Sequence, residues 1–180
     1  TMAKIIGGGY PVGAFGGRED IMRQLSPEVH RVHHAGTLNA NPITAAAGVT
    51  TMEQLDAVAI DHINQLGESF ADGVRAVFKK LNIKGQVTGM GSLQNIHFSD
   101  RPVVDGKSAG ETNKDLLHLY YLAALERGLF SAARGLYVMS TPMTRQDIDT
   151  AVRAIAGVVA ELKPTIEDLW PELIGEAVPV

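Results

Sequence analysis

Six glycines lie between residues 4 and 17, clustered around Pro11, and no other feature of the sequence constrains the fold as strongly. Glycine reaches positive φ angles and lets the backbone approach another group closely, whereas a residue with a Cβ does so only at a cost. Proline next to glycine pairs is in addition a turn signal. The sequence therefore predicts a loop at residues 4–17 whose backbone closely approaches another group.

The spacing of the glycines argues against the common nucleotide-binding loops. Gly9 and Gly13 are four steps apart where the dinucleotide fingerprint needs three, and no βαβ pattern surrounds them. The run Gly106-Lys107-Ser108 matches the end of a phosphate-binding P-loop, but Arg101 occupies the position of the required glycine five residues earlier. Neither kind of site is therefore expected.

Residues 42–81 carry the pattern of two successive helices. Asn41 is positioned to cap the first helix and Pro42 to occupy its first turn. The predicted apolar stripe of this helix is Ile43, Ala46, Ala47, Met52 and Leu55. The second helix is predicted from about Val58 to Leu81, with Ile63, Leu66, Phe70, Val74, Val77 and Phe78 at helical spacing.

From residue 60 onward the order of elements is helix, two strands, helix, strand, helix. Strands are predicted at residues 83–90, 92–98, 129–130 and 135–140, a helix at 114–128 and an exposed loop at 100–110. Thr144 and Asp147 match a capping box that begins a last helix ending near Leu162. This order is typical of an α+β domain with helices packed on a small, mostly antiparallel sheet.

The elements predicted in the first 60 residues do not make up a complete domain. They are similar to the end of a larger α/β domain whose earlier part lies outside this chain. We therefore expect a division into residues 1–59, the C-terminal part of a large domain, and residues 60–180, a small α+β domain. Segment 29–35, which precedes the first of the two predicted helices, is expected to be extended.

Composition excludes several classes of protein. The 16 Lys and Arg against 20 Asp and Glu give a net charge of −4, and 45% of residues are hydrophobic, as in ordinary globular chains. No basic excess points to a nucleic acid, and no apolar run of 18 residues or leader pattern points to a membrane. With no cysteine there is no thiolate chemistry, which fits a reducing compartment. We expect a cytoplasmic protein.

Two positions have the chemistry of a carbonyl-cofactor site. Burial of Lys4, between a short strand and the glycines, would disfavour the charged ammonium, and a neutral amine is what a Schiff base requires. Thr37 brings a hydroxyl, beside Gly36, to a loop just before a helix N-terminus, which suits a phosphate. Taken alone, a lysine is more often a solvated surface group, and residues 36–42 are more often a capped turn.

Three histidines, His30, His33 and His34, lie close enough in sequence to suggest a metal. In an extended segment His33 and His34 point to opposite sides, and a helix is not expected between Pro27 and Gly36. We therefore expect no metal site and treat these residues as structural histidines that pack near a cofactor or an interface.

The segments KIIGGGYPVGAFGG at residues 4–17 and AGTLNANP at residues 35–42 closely resemble the class III aminotransferases of fold type I. Within that family the sequence is most similar to the glutamate-1-semialdehyde aminomutase and β-amino-acid transaminase branch, over residues 1–162. The resemblance implies the C-terminal end of a pyridoxal-phosphate-binding large domain followed by the small domain. It also implies a homodimer with shared active sites.

The resemblance assigns roles to individual residues. Lys4 would form the Schiff base with pyridoxal 5'-phosphate and carry protons between cofactor and substrate. Gly36 and Thr37 would bind the cofactor phosphate of the neighbouring subunit. Arg134 falls where the β-amino-acid transaminases carry an arginine that binds a substrate carboxylate, a task that suits a guanidinium. The alternative for Arg134 is a surface arginine next to a strand.

The family's aspartate facing the pyridine nitrogen, its ring-stacking aromatic residue and its phosphate-binding glycine-serine turn precede the lysine, and this chain has none of them. We therefore expect this chain alone to be an incomplete catalyst: a fragment, a partial gene product, or one piece of a nicked protein whose N-terminal portion is a separate chain. The expected reaction transfers an amino group from a β-amino acid to a 2-oxo acid. The alternatives are the amino shift of glutamate-1-semialdehyde and a dimerising module without chemistry.

Overall fold

A computed structural model describes residues 1–29 and 31–175 of the chain. The chain divides into two compact units, Thr1–Ala59 and Ile60–Val180. No helix among the described residues is both long enough and apolar enough to cross a membrane.

The first unit is built around the glycine-rich segment. Strand β1 (Met2–Ala3) pairs antiparallel with β2 (Gly13–Ala14), and a 3₁₀ turn at Lys4–Gly7 follows β1. Helix α1 (Glu19–Met22) continues into a second 3₁₀ turn at Arg23–Leu25, and α2 covers Pro42–Gln54. In segment 29–35, Val29 lies in a turn, Arg31 and Val32 in a bend, and residues 33–35 have no regular secondary structure, while His30 lies outside the described residues.

Glycines bring the 3₁₀ turn and helix α2 into contact. A Cβ on Gly8, which has φ +57°, would lie 2.6 Å from the carbonyl oxygen of Ala47. A Cβ on Gly48 would lie 2.7 Å from the carbonyl oxygen of Ile6. Because both positions lack a Cβ, the two backbones touch. The close approach predicted for residues 4–17 is confirmed, and the group approached is this helix.

Helix α2 begins as predicted but buries a different face. The Oδ1 atom of Asn41 accepts hydrogen bonds from the N–H groups of Ile43 (2.9 Å) and Thr44 (3.2 Å), so the predicted cap is confirmed. The predicted apolar stripe is wrong, since Ile43 and Met52 are 61% and 50% exposed, whereas Thr44 and Gly48 are buried. Only small side chains fit on the face that contacts the glycine turn.

The second unit is a three-stranded antiparallel sheet with helices packed against it. Its helices are α3 (Ala57–Leu81, which begins in the first unit), α4 (Gly106–Gly110), α5 (Lys114–Glu126) and α6 (Arg145–Leu169). Its strands are β3 (Gly85–Met90), β4 (Leu93–Phe98) and β5 (Leu136–Val138), in the order β3-β4-β5. The predicted α+β layout is confirmed.

The core of this unit lies between the sheet and the three long helices. Helix α3 contributes the residues predicted from its periodicity, among them the fully buried Phe70, Val74 and Phe78. The hydroxyl groups of Tyr120 and Tyr137 form a buried hydrogen bond of 2.7 Å inside it. These two tyrosines therefore complete their polar contacts within the core.

Three predictions in this unit need correction. Helix α6 extends to Leu169 through Pro164, because Ile166 on its inner face is fully buried and this burial offsets the lost hydrogen bond. Residues 129–130 form no strand, and Phe130 is 89% exposed. Segment 100–110 is not simply an exposed loop, since it contains α4 and the buried Val103.

The amide of Gln86 explains how segment 100–110 is held. Its Nε2 donates to the carbonyl of Arg101 (2.7 Å), and its Oε1 accepts from the N–H of Val103 (2.9 Å). The side-chain amide of Gln86 thus forms hydrogen bonds with backbone groups of segment 100–110, as a neighbouring strand would do. The segment therefore covers one face of the sheet.

Candidate active site

A cavity of about 1180 Å³ lies in the first unit, between the glycine-rich segment and the loop that leads into α2. Its wall is formed by residues 3–5, 9–13 and 38–41, together with His34, Thr44 and Ala45. Lys4 is the only lysine in this wall, and the wall contains no carboxylate among the described residues. The cavity is large enough for a cofactor and presents one primary amine to it.

Lys4 has an unusual backbone conformation. Its φ is +55°, and Ala40 across the cavity has a φ of +57°. Of the three non-glycine residues with positive φ in the described chain, two therefore line this one cavity. Such conformations cost about 1–3 kcal/mol each and concentrate at functional sites. The strain supports a functional role for this cavity.

The side chain of Lys4 is exposed, so the burial expected from the sequence is not observed in this chain. The elements next to Lys4 are two strands of two residues each and a single 3₁₀ turn. This is too little structure to enclose a side chain as long as lysine. Lys4 lines the cavity and is accessible to solvent.

Gly36 and Thr37 lie outside the wall of this cavity. Both residues are exposed, and they precede the wall residues 38–41 directly. The carbonyl of Gly36 accepts the N–H of Asn39 at 3.0 Å, which closes the turn that carries Thr37. Within one chain the structure therefore does not bring Thr37 and Lys4 to the same cavity.

The N-terminus of α2 has few free donors for an anion. Asn41 already accepts the N–H groups of Ile43 and Thr44 with its side chain, and that of Ala45 with its carbonyl. Pro42 has no N–H to donate. Any phosphate near this loop would therefore depend on the Thr37 hydroxyl and on the loop before the helix.

Sequence reasoning did not single out Tyr10 or Asn39, which lie in the cavity wall, and it treated His34 as structural. The ring of His34 packs edge-on against Phe15, with centroids 5.0 Å apart and planes at 89°. The signal that could have identified these residues is their position inside or next to the two segments 4–17 and 35–42. Among the residues with described coordinates, no group of three metal-binding side chains is present.

Arg134 lies in the second unit, in the turn before β5. It is exposed and lines a separate cavity of about 550 Å³ with Thr88, Asn95, His97 and Lys114. No carboxylate of the described chain lies within ion-pair distance of its guanidinium. The guanidinium is therefore available to an external carboxylate.

The turn that carries Arg134 depends on Gly135. Gly135 has φ +85°, and a Cβ there would lie 2.5 Å from the carbonyl oxygen of Ile96. The N–H of Ile96 donates to the carbonyl of Gly135 at 2.9 Å. Only glycine allows this contact, and the contact fixes the backbone that follows Arg134 to β4.

Two residues that line this cavity have a clearly shifted pKa: Asp105, whose carboxyl pKa is lowered by hydrogen bonds from Ser108, and His97. Burial lowers the pKa of its imidazole below the ordinary value of 6.5, and the positive charge of Lys114 lowers it further. The imidazole is therefore neutral at physiological pH.

A family model and several known proteins match this chain over most of its length. The model of the family described as "Aminotransferase class-III" matches residues 1–159. A glutamate-1-semialdehyde 2,1-aminomutase 2 from Exiguobacterium sibiricum is 35% identical over 165 residues, which cover 90% of this chain and 37% of that protein. This chain therefore spans less than two fifths of the length of that curated relative.

Two solved structures have the same fold over most of the chain. An omega-transaminase from Sphaerobacter thermophilus is 34% identical, with a TM-score of 0.81, covering 90% of this chain and 38% of its own. A β-phenylalanine aminotransferase from Variovorax paradoxus is 31% identical, with a TM-score of 0.85, covering 98% of this chain and 40% of its own.

Proposed function

Because this chain belongs to the class III aminotransferases, we propose that it forms part of a pyridoxal-phosphate enzyme that transfers an amino group between an amino acid and a 2-oxo acid. The observation that carries this proposal is Lys4, a lysine with positive φ in the wall of a cavity of about 1180 Å³. Residues 1–59 would be the C-terminal part of the cofactor-binding domain. Residues 60–180 would be the small domain.

The residues around Lys4 fit such a cofactor. When bound, pyridoxal phosphate supplies an aldehyde that takes up the amino group and a ring system that withdraws electrons from the reacting carbon. Lys4 is the group that would hold it covalently, because its amine is the only one in the wall. The absence of a carboxylate from the described wall leaves this amine free of an ion pair there.

Lys4 would also move the proton on which transamination depends. Its Nζ atom, once neutral, is a base that can take a proton from the substrate carbon and return it to the cofactor. This role requires a flexible side chain anchored at a fixed backbone. The 3₁₀ turn held against α2 by Gly8 and Gly48 provides that anchor.

Thr37 and Gly36 would bind the cofactor phosphate of the neighbouring subunit in a homodimer. Both residues are exposed and lie outside the Lys4 cavity of their own chain, which suits contact with a second chain. The Thr37 hydroxyl can donate to a phosphate oxygen.

Arg134 would bind the carboxylate of the substrate. Its exposed guanidinium has two parallel donors for a carboxylate and, in the described chain, no acidic partner. The likeness to an enzyme named for β-phenylalanine supports a β-amino acid as the amino donor.

The amino shift of glutamate-1-semialdehyde is the second candidate, since the curated relative carries the name of that aminomutase. The two activities differ in their need for a separate acceptor. A transaminase consumes a 2-oxo acid, whereas an aminomutase forms its product from a single substrate. Omitting the 2-oxo acid from the assay therefore distinguishes them. A dimerising module without chemistry would bind no cofactor in either assay.

Borohydride reduction of the cofactor-loaded protein tests the assignment of Lys4. We expect peptide mapping to find the reduced cofactor on Lys4, with no label in a Lys4→Ala variant. The matched control is Lys107→Ala, which removes an exposed lysine from α4 and should leave the labelling unchanged. A label on any other lysine of the loaded protein would contradict the proposal.

A further inference from the structure

Strand β4 presents two polar side chains, Asn95 and His97, on the same face. Residues two apart in a strand share a face, while Ile96 and Phe98 point to the opposite one and are buried in the core. The face with Asn95 and His97 also borders the cavity that contains Arg134. These two residues therefore connect the sheet to the proposed carboxylate site.

The amide of Asn95 can have only one orientation. Its Nδ2 atom lies 3.3 Å from the carbonyl oxygen of Ile96 and 3.3 Å from that of Arg134. Carbonyl oxygens only accept hydrogen bonds, so the atom facing them is the nitrogen donor. A flipped amide would bring three oxygens together. Asn95 therefore donates to the backbone of Arg134.

The contact between Asn95 and His97 depends on the tautomer of His97. The Nε2 atom of His97 lies 3.2 Å from Asn95 Nδ2, which is a donor, so the two form a hydrogen bond when Nε2 is unprotonated and accepts. The hydroxyl of Thr88, 2.9 Å away, can donate to the same atom. In a neutral imidazole the proton is then on Nδ1, which is buried without a hydrogen-bond partner among the described residues.

The charges around His97 support this state. The ionisable groups that face it are Lys114 at the start of α5, Arg134 in the turn before β5, and Asp105 in the segment that covers the sheet. The carboxylate of Asp105 is occupied by the N–H and hydroxyl of Ser108. Two cations and an engaged carboxylate oppose a third positive charge on the ring.

We propose that Asn95, held by the imidazole of His97, is a positioning residue that fixes the backbone of Arg134 and so aims its guanidinium at the substrate carboxylate. Asn95 holds the carbonyl of Arg134, and the N–H of Ile96 holds the carbonyl of Gly135. Two consecutive peptide groups are thus attached to β4. This inference rests on the carboxylate role of Arg134 proposed above.

The tautomer is tested first, on the full chain labelled with ¹⁵N. Long-range ¹H–¹⁵N correlation spectra distinguish a protonated ring nitrogen from an unprotonated one. We expect His97 to carry its proton on Nδ1, and Asn95→Leu to remove this preference. A proton on Nε2 in the unsubstituted chain would overturn the inference, because Asn95 could not then donate to that atom.

Kinetics of the cofactor-loaded enzyme test the effect on Arg134. We expect Asn95→Leu to raise the KM for the carboxylate substrate by roughly 2- to 12-fold, the equivalent of one hydrogen bond, with kcat little changed. In an Arg134→Ala background the same change should add nothing. Equal effects of Asn95→Leu in both backgrounds would overturn the inference.

The matched control is Gln94→Leu. Gln94 directly precedes Asn95 on β4, and its side-chain amide also donates to a backbone carbonyl, that of Gly91, at 2.8 Å. It does not contact Arg134, so its loss should leave KM unchanged. An Arg134→Ala enzyme with unchanged KM would contradict the carboxylate role of Arg134, and with it the proposed effect of Asn95 on substrate binding. The tautomer of His97 is measured independently of that role.

Discussion

Gly67, in the middle of α3, shows how a single missing Cβ lets two elements touch. A Cβ there would lie 2.0 Å from the carbonyl oxygen of Gly91, at the tip of the β3-β4 hairpin. The same tip is held by Asn64, whose Oδ1 accepts the N–H of Ser92 at 3.0 Å. The hairpin is therefore docked on the helix by a glycine and an asparagine one helical turn apart.

Gly67→Ala should destabilise the chain, against the usual preference of helices for alanine. The added Cβ would force the hairpin away from α3, which we expect to lower the free energy of unfolding by about 1–3 kcal/mol. The control is Gly157→Ala in α6, where the nearest atom is 3.2 Å away on the flexible side chain of Arg127. That change should raise the free energy of unfolding by about 0.5–1 kcal/mol. Urea unfolding measures both, and equal signs would contradict the docking role of Gly67.

Individual residues of the candidate site could be predicted only in part. The cap at Asn41 was predictable because capping depends on neighbouring residues. The exposure of Lys4 was not, since burial depends on what the rest of the fold brings near. The contacts of Asn95 with Arg134 join residues 39 positions apart, and no local pattern predicts such a pair.

At the scale of elements, periodicity predicted the helices whose apolar residues face the core. Helix α3 has its predicted bounds to within one residue and its predicted buried face. Helix α2 was located correctly, but its face was wrong because contact with a glycine turn selects small residues rather than large apolar ones. The end of α6 was wrong because burial of Ile166 outweighs the proline signal.

The capping box at the start of α6 allows a test at this scale. The Thr144 hydroxyl and N–H each lie 2.7 Å from Asp147 Oδ2, and the hydroxyl oxygen accepts the N–H of Asp147. Thr144→Ala should therefore lower the free energy of unfolding by about 0.5–2 kcal/mol. Thr150→Ala is the control, because Thr150 bonds only within the helix, donating to the carbonyl of Gln146 and accepting from the guanidinium of Arg153. It should be neutral or slightly stabilising in the same thermal or urea unfolding experiment. Equal decreases in the free energy of unfolding for the two variants would show that the capping box adds no more stability than an ordinary hydrogen bond within the helix.

At the scale of the molecule, the two units carry different parts of the proposed chemistry. Lys4 belongs to the unit Thr1–Ala59, and Arg134 to the unit Ile60–Val180. Family membership was predictable from two short segments, 4–17 and 35–42, whose order of residues resembles that of the family. The side-chain hydrogen bonds that join β3, β4 and segment 100–110 in the second unit were not predictable from the sequence, because they depend on which elements the fold brings together.

Buried His97 makes the stability of the second unit depend on pH. Its pKa is lowered on folding by burial and by Lys114, so the unfolded chain binds the proton more readily. Stability is then complete above the unfolded value of 6.5 and decreases as the pH falls below it. The pKa of Asp147 is lowered by its bonds to Thr144, so its contribution decreases only at more acidic pH, below its ordinary value of 3.8.

We therefore expect the urea concentration at the unfolding midpoint to decrease as the pH is lowered from 7.5 to 5.5. The His97→Gln substitution should weaken this dependence on pH, because glutamine does not titrate. His118→Gln is the control, since His118 is exposed on α5 and its loss should leave the slope unchanged. A His97→Gln chain with the original slope would mean that the imidazole is protonated equally in both states. Protonation of the ring at low pH would also remove the Nε2 acceptor proposed to hold Asn95, because a protonated ring donates from both nitrogens. The pH profile of folding and the aim of Arg134 thus depend on the same unprotonated nitrogen.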